Sequence, residues 1–109
     1  MSEPKQNLPW SEQYRIVAKS WVDAEAAASL LEDTKSAILA EKMLALGDMP
    51  SVSLAEMTVM ASQGWKDDLL SISTQRQAAN RLKVQMEYIR MKFMEWQSEN
   101  ATKRVEMRL

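Results

Sequence analysis

Hydrophobic residues recur at alternating steps of three and four through the last part of the chain. Between Ile72 and Trp96 they occupy Ile72, Ala79, Leu82, Met86, Ile89, Phe93 and Trp96, with the polar Gln75 as one further member. This spacing places them on one face of an α-helix over three heptads. Since no glycine or proline follows Gly64, the pattern predicts one uninterrupted helix over about residues 63–106.

A second apolar series lies in the first half of the chain. Its members are Val17, Trp21, Ala28, Leu31 and Ile38. The series predicts a helix over about residues 11–46, with Ser11 as its N-cap. Gly47 is the usual kind of C-terminal cap, and Pro50 prevents the helix from continuing.

Two serines mark the starts of the remaining helices. Ser53 to Glu56 fits the S-x-x-E capping box, which predicts a short helix over about residues 53–61. Ser62 is the predicted N-cap of the last helix.

The predicted fold class is all-α: a long antiparallel helical hairpin with a short intervening helix. Residues 1–10 are expected to form a flexible tail, and residues 11–109 a single helical domain. Two packed helices leave apolar side chains uncovered, and a chain of 109 residues has little material for a third layer. We therefore expect a homodimer, or a higher oligomer, that forms a helical bundle. The predicted core or oligomer-interface residues are Trp21, Ala28, Leu31, Ile38, Leu82, Met86, Ile89, Phe93 and Trp96.

The residue inventory argues against catalysis. The chain has no histidine and no cysteine, which removes the commonest general base, the commonest metal ligand and the best nucleophile. Neither glycine belongs to a phosphate-binding motif. We expect no catalytic residue, metal site or cofactor, and hence no enzyme.

Charge is distributed unevenly along the chain. Residues 1–64 carry a net charge of −4 and residues 65–109 a net charge of +3. Between residues 76 and 92 of the last helix, a single acidic residue, Glu87, is outnumbered by five basic ones: Arg76, Arg81, Lys83, Arg90 and Lys92. One interpretation is a non-specific nucleic-acid site, because Arg76, Lys83 and Arg90 recur every seven residues as a ridge. The other is a coiled-coil flank paired with Glu25, Glu32 and Asp33. The sequence lacks the clustered interleaving of aromatic and basic residues that would favour base stacking by Trp10 or Trp65.

No signal for a membrane is present. The N-terminus lacks both a basic start and an apolar core, and apolar runs stay far below the ~18 residues of a spanning helix. The absence of cysteine fits a reducing compartment. An intracellular protein without membrane contact is expected.

Two stretches, residues 25–43 and 79–109, resemble a family of small helical proteins encoded by tailed bacteriophages and prophages. The DMP turn at Asp48 to Pro50 and the AEM that follows at Ala55 to Met57 belong to the same resemblance. It covers most of the chain from about Tyr14 and carries no catalytic motif. Genes of this family tend to lie near recombination or replication genes, so the resemblance implies an accessory role in phage DNA metabolism in the bacterial cytoplasm.

Three functions remain open from the sequence. The first is a non-enzymatic phage interaction protein that acts as an adaptor or modulator in DNA recombination or replication, through contacts with itself and a phage or host protein. The second is a direct nucleic-acid binder through the five basic residues. The third is an inhibitor of a host defence system.

Overall fold

A computed structural model describes residues 8–108, which form three α-helices and, within that range, no strand. Helix α1 spans Trp10–Ala45, α2 spans Val52–Met60 and α3 spans Gln63–Arg108. The predicted all-α class is confirmed, and every predicted helix boundary lies within two residues of the observed one. Most of the predicted N-terminal tail lies outside the described residues, while Trp10, which the tail included, begins α1.

Helix α1 begins differently from the prediction. The carbonyl of Pro9 accepts hydrogen bonds from the backbone N–H groups of Glu12 and Gln13, both at 3.0 Å. The side-chain amide of Gln13, which is buried, donates to the carbonyl of Leu8 at 2.7 Å. Ser11 therefore lies inside the first turn and is not the N-cap, because the chain enters the helix at Pro9.

Gly47 ends α1 as predicted. Its φ of 77° lies in the left-handed region, and its N–H donates to the carbonyl of Leu44 at 3.2 Å. A side chain at this φ would be strained, which explains why a glycine terminates the helix.

Serines cap both of the following helices, but the first is not the predicted one. Ser51 is the N-cap of α2, and its Oγ accepts the N–H of Leu54 at 3.1 Å. Ser53 lies inside α2, so the predicted capping box was placed two residues too late. Ser62 caps α3 as predicted, because its Oγ accepts the N–H of Trp65 at 3.2 Å.

The chain divides into two compact units. The central unit comprises residues 24–78, and the terminal unit comprises, of the described residues, 8–23 and 79–108. Both long helices contribute to each unit, because the divisions fall inside α1 and α3. The single domain expected from the sequence stays a prediction.

The central unit has a small core drawn from all three helices. Ala28 of α1, Ala55 and Val59 of α2, and Trp65 of α3 are buried. Within this unit α1 and α3 run antiparallel, since Arg76 contacts Glu25 and Glu32 while Lys42 lies 3.2 Å from Asp68. Trp65 is the largest of these buried side chains.

The terminal unit has a core drawn from α1 and α3 alone. Val17 of α1 and Ala79, Leu82 and Ile89 of α3 are its buried apolar residues. The α3 members follow the predicted three-and-four spacing, so the heptad pattern identifies the packed face of this helix.

Candidate functional site

Arg76 is held by two carboxylates and a hydroxyl of α1. Its Nε and Nη2 donate to the two carboxylate oxygens of Glu32 at 3.0 and 2.5 Å. Its Nη1 donates to Glu25 at 2.6 Å, and its Nη2 lies 3.5 Å from the Oγ of Ser29. The bidentate contact with Glu32 uses the planar fork that makes arginine suited to carboxylates. This is the pairing that the coiled-coil interpretation predicted for Glu25 and Glu32, while Asp33 is not among the partners of Arg76.

The two ends of this contact reinforce each other's charge. Hydrogen bonds, first from Glu32 and then from Glu25, raise the pKa of Arg76 above its usual value. The hydrogen bond with Arg76 lowers the pKa of Glu32 below its usual value of 4.5. Arg76 thus faces two carboxylates, and a phosphate would have to compete with both for its donors.

The other four basic residues of the predicted site belong to the terminal unit and have different surroundings. Lys92 lies 3.6 Å from Glu95 and its Nζ is 5.9 Å from the centre of the Tyr88 ring. Arg81, Lys83 and Arg90 make no ion pair with any acidic residue between positions 8 and 108. Three cationic groups of this unit are therefore available to a ligand.

The four residues do not share one side of α3. At about 100° per residue, Arg81 lies about 160° around the helix from Lys83, and Lys92 lies on the same side as Arg81. Lys83 and Arg90, seven residues apart, share the opposite side. The structure therefore separates the predicted basic residues of this unit into two pairs.

Lys83 and Arg90 lie beside aromatic residues of α1. Together with Tyr14 and Trp21 they line a cavity of about 160 Å³, to which Met86 and Glu87 also contribute. Arg90 also borders a second cavity of about 260 Å³. Aromatic and basic residues are not interleaved along the sequence, but folding brings members of the two sets together. The two sets of residues come from different helices, so linear spacing could not show their proximity.

The predicted core or interface residues fall mostly on packed faces. Ala28, Leu82 and Ile89 are buried, and Trp21, Leu31, Ile38, Met86 and Phe93 are half-buried. Trp96 is 47% exposed, and the centre of its ring lies 6.1 Å from that of Phe93 in a stacked arrangement, so its assignment to an interface stays a prediction. Most of these residues therefore pack within the chain, and their contribution to an interface between chains stays a prediction.

A second apolar surface of α3 was missed in the sequence. It consists of Val84, Tyr88, Met91 and Met94, each more than half exposed, and we call it the outer face. At about 100° per residue, Val84 and Met91 lie about 160° from Leu82 and Ile89 respectively, on the side away from the buried residues. The seven-residue spacing of Val84 and Met91 was the available signal.

Comparison with protein-family models, with curated proteins and with solved structures finds no match. Among residues 8–108, no helix has the length and apolarity needed to cross a lipid bilayer. The same residues contain no cluster of three or more acidic side chains that is arranged to hold a metal ion.

Proposed function

We propose that this protein is a non-enzymatic interaction protein that works as a helical oligomer, serving as an accessory or modulator of DNA recombination or replication in a phage or prophage. The observation that carries the proposal is the outer face of α3. One apolar side of α3 packs against α1, and an exposed apolar surface on its opposite side favours contact with a partner.

The outer face has the composition of a protein contact. Methionine and tyrosine are enriched in the centres of interfaces, and methionine adapts its shape to different partners. A second copy of the same face is its proposed occupant, which gives a symmetric homodimer and a helical bundle. The association with DNA metabolism rests on the resemblance of residues 25–43 and 79–109 to small helical phage proteins.

Sedimentation equilibrium of matched variants tests the assembly. The double variant Val84→Glu/Met91→Glu places two charges on the outer face, so we expect a folded monomer where the unaltered chain is a dimer. The matched control is Val22→Glu, an exposed valine on α1 in the same unit, which leaves the dimer intact. A monomeric unaltered chain, or a double variant with unchanged mass, would refute the proposed interface.

A second candidate function is direct nucleic-acid binding, and one observation favours it. Lys83 and Arg90 are cations without an ion pair to residues 8–108 and lie beside Tyr14 and Trp21, a combination that suits phosphate contact and base stacking. Mobility shifts with single-stranded DNA at low salt test this function. Binding that Lys83→Glu/Arg90→Glu abolishes and Arg81→Glu retains supports it, and absence of a shift excludes it.

A further inference from the structure

One cavity of the terminal unit, between the start of α1 and the middle of α3, combines an apolar lining with one cationic group. Its volume is about 260 Å³. It is lined by Trp10, Ser11 and Tyr14 of α1 and by Ile89, Arg90 and Phe93 of α3. Three aromatic rings and one aliphatic side chain therefore surround this space, and Arg90 is the one charged residue that residues 8–108 contribute to its lining.

The cavity has room for one large apolar side chain. An engineered protein cavity of about 150 Å³ lined by aliphatic and aromatic groups holds a benzene molecule. The space beside Ile89 and Phe93 exceeds that volume, so a phenyl ring or a branched aliphatic group fits with its attached backbone. Burial of such a group would be driven by the removal of apolar surface from water.

The positive charge of Arg90 favours a negatively charged group on the ligand that enters this cavity. Its guanidinium makes no ion pair among residues 8–108, unlike that of Arg76, which faces two carboxylates. The neighbouring cavity adds Lys83 as a second cation and Glu87 as one acid. Of the nearby acids on α1, Glu12 is bonded to Arg15. The surroundings of the cavity are thus positive and favour an anionic ligand.

We propose that this cavity binds the C-terminal residue of an acidic partner peptide, with an aromatic or large aliphatic side chain inside the cavity and the terminal carboxylate on Arg90. The apolar space and the guanidinium adjoin each other, so the ligand must carry an apolar group and an anionic group close together. A C-terminal residue carries both on one α-carbon. Lys83 attracts acidic residues that precede it in the peptide.

A peptide suits this cavity better than a nucleotide does. A base that enters needs partners for the polar atoms of its edge, and the lining offers only the hydroxyls of Ser11 and Tyr14, the indole N–H of Trp10 and Arg90. An apolar side chain needs none. The site is also separate from the proposed oligomer interface, because Ile89 and Phe93 lie about 140° and 180° around α3 from Val84.

Fluorescence anisotropy with a labelled acidic hexapeptide that ends in phenylalanine tests the site in the full chain. The peptide is compared with the same sequence carrying a C-terminal amide. We expect saturable binding of the free acid and at least about tenfold weaker binding of the amide, because the charged hydrogen bond to Arg90 is lost. Equal affinities, or no binding of the free acid, would overturn the proposal.

Two variants and one control separate the site from general charge effects. Arg90→Ala weakens binding about tenfold, while Arg81→Ala, which removes an equal charge on the other side of α3, leaves it unchanged. Ser11→Phe places a ring at the cavity from an exposed position and blocks the peptide without altering the core. Equal effects of Arg90→Ala and Arg81→Ala would contradict the site.

The test also distinguishes this inference from the proposed oligomer. The Val84→Glu/Met91→Glu variant is expected to bind the free-acid peptide as the unaltered chain does. Loss of peptide binding in this variant would show that the ligand occupies the oligomer interface and not the cavity. Single-stranded DNA that binds with Arg90-dependent affinity, with no peptide binding, would assign these cations to nucleic acid instead.

Discussion

The central and terminal units use the same two helices and are stabilised by different interactions. In the central unit, charged groups of α1 and α3 meet across the helix pair, as Arg76 does with Glu25 and Glu32 and Lys42 with Asp68. In the terminal unit, the ion pairs between described residues join neighbours on one helix, such as Arg15 with Glu12 and Lys92 with Glu95.

This difference shows which part of the chain contains the ion pairs between the acidic first half and the basic second half. An acidic first half and a basic second half predict pairing along the whole contact, yet between described residues the cross-helix ion pairs all lie in the central unit. Lys83 and Arg90 of the terminal unit, which make no ion pair with residues 8–108, lie beside aromatic rings and cavities. The central unit is thus the better candidate for a scaffold and the terminal unit for recognition.

Removing the largest buried side chain of the central unit should have the greatest effect on stability. Trp65 is 3% exposed, and truncation of a buried tryptophan to alanine costs about 3–5 kcal/mol. Trp65→Ala should therefore lower the free energy of unfolding by that amount in urea denaturation followed by circular dichroism. Trp96→Ala, at a tryptophan of the terminal unit that is 47% exposed, is the control and should cost clearly less. Equal losses would mean that the two units do not differ in packing as described.

Replacing buried alanines by larger residues should have an intermediate effect on the free energy of unfolding. The same replacement in each unit compares how well the two cores accommodate added volume. Ala28 in the central unit and Ala79 in the terminal unit are both fully buried. Overpacking costs about 1–3 kcal/mol, so Ala28→Leu and Ala79→Leu should each destabilise the fold by this amount. The exposed Ala26→Leu on α1 should be nearly neutral. A smaller loss at Ala79 than at Ala28 would show that the terminal unit adapts its packing more readily.

Acid should lower the stability of the central unit by protonating Glu32. We expect this effect to be smaller than those of the tryptophan and alanine substitutions. The pKa of Glu32 is lowered in the folded chain by its hydrogen bond with Arg76. Its contribution to stability is therefore fully present above the unfolded value of 4.5 and is lost as the pH falls through the lower folded value. Urea midpoints measured between about pH 6 and about pH 3 should fall less for Glu32→Gln than for the unaltered chain. Parallel curves, or the same flattening in the exposed control Glu99→Gln, would contradict this role.

Local signals in the sequence predict most of the fold. Gly47 and Ser62 end and begin helices as predicted, because each acts through its own backbone or its own hydroxyl. The predicted N-caps Ser11 and Ser53 were wrong because a better-placed acceptor precedes each of them. The carbonyl of Pro9 precedes Ser11, and the hydroxyl of Ser51 precedes Ser53. Competing caps within two residues cannot be ranked without the path of the entering chain.

The candidate site was harder to predict because it depends on the register between α1 and α3. Sliding one helix by seven residues preserves every match in a heptad pattern, so apolar spacing alone does not place Arg90 beside Trp10 and Tyr14. The pairing of Arg76 was predictable because Glu25 and Glu32 are themselves seven residues apart. The outer face was missed because its spacing repeats that of the buried face on the same helix.

The methionines of the outer face would make the proposed dimer sensitive to oxidants. Met91 and Met94 are largely exposed, and peroxide converts such thioethers into polar sulfoxides. Mild oxidation would therefore make the outer face hydrophilic and dissociate the proposed dimer, and sulfoxide reduction would restore it. Residues 8–108 contribute no methionine to the lining of the proposed peptide cavity, so peptide binding would survive the treatment that dissociates the proposed dimer.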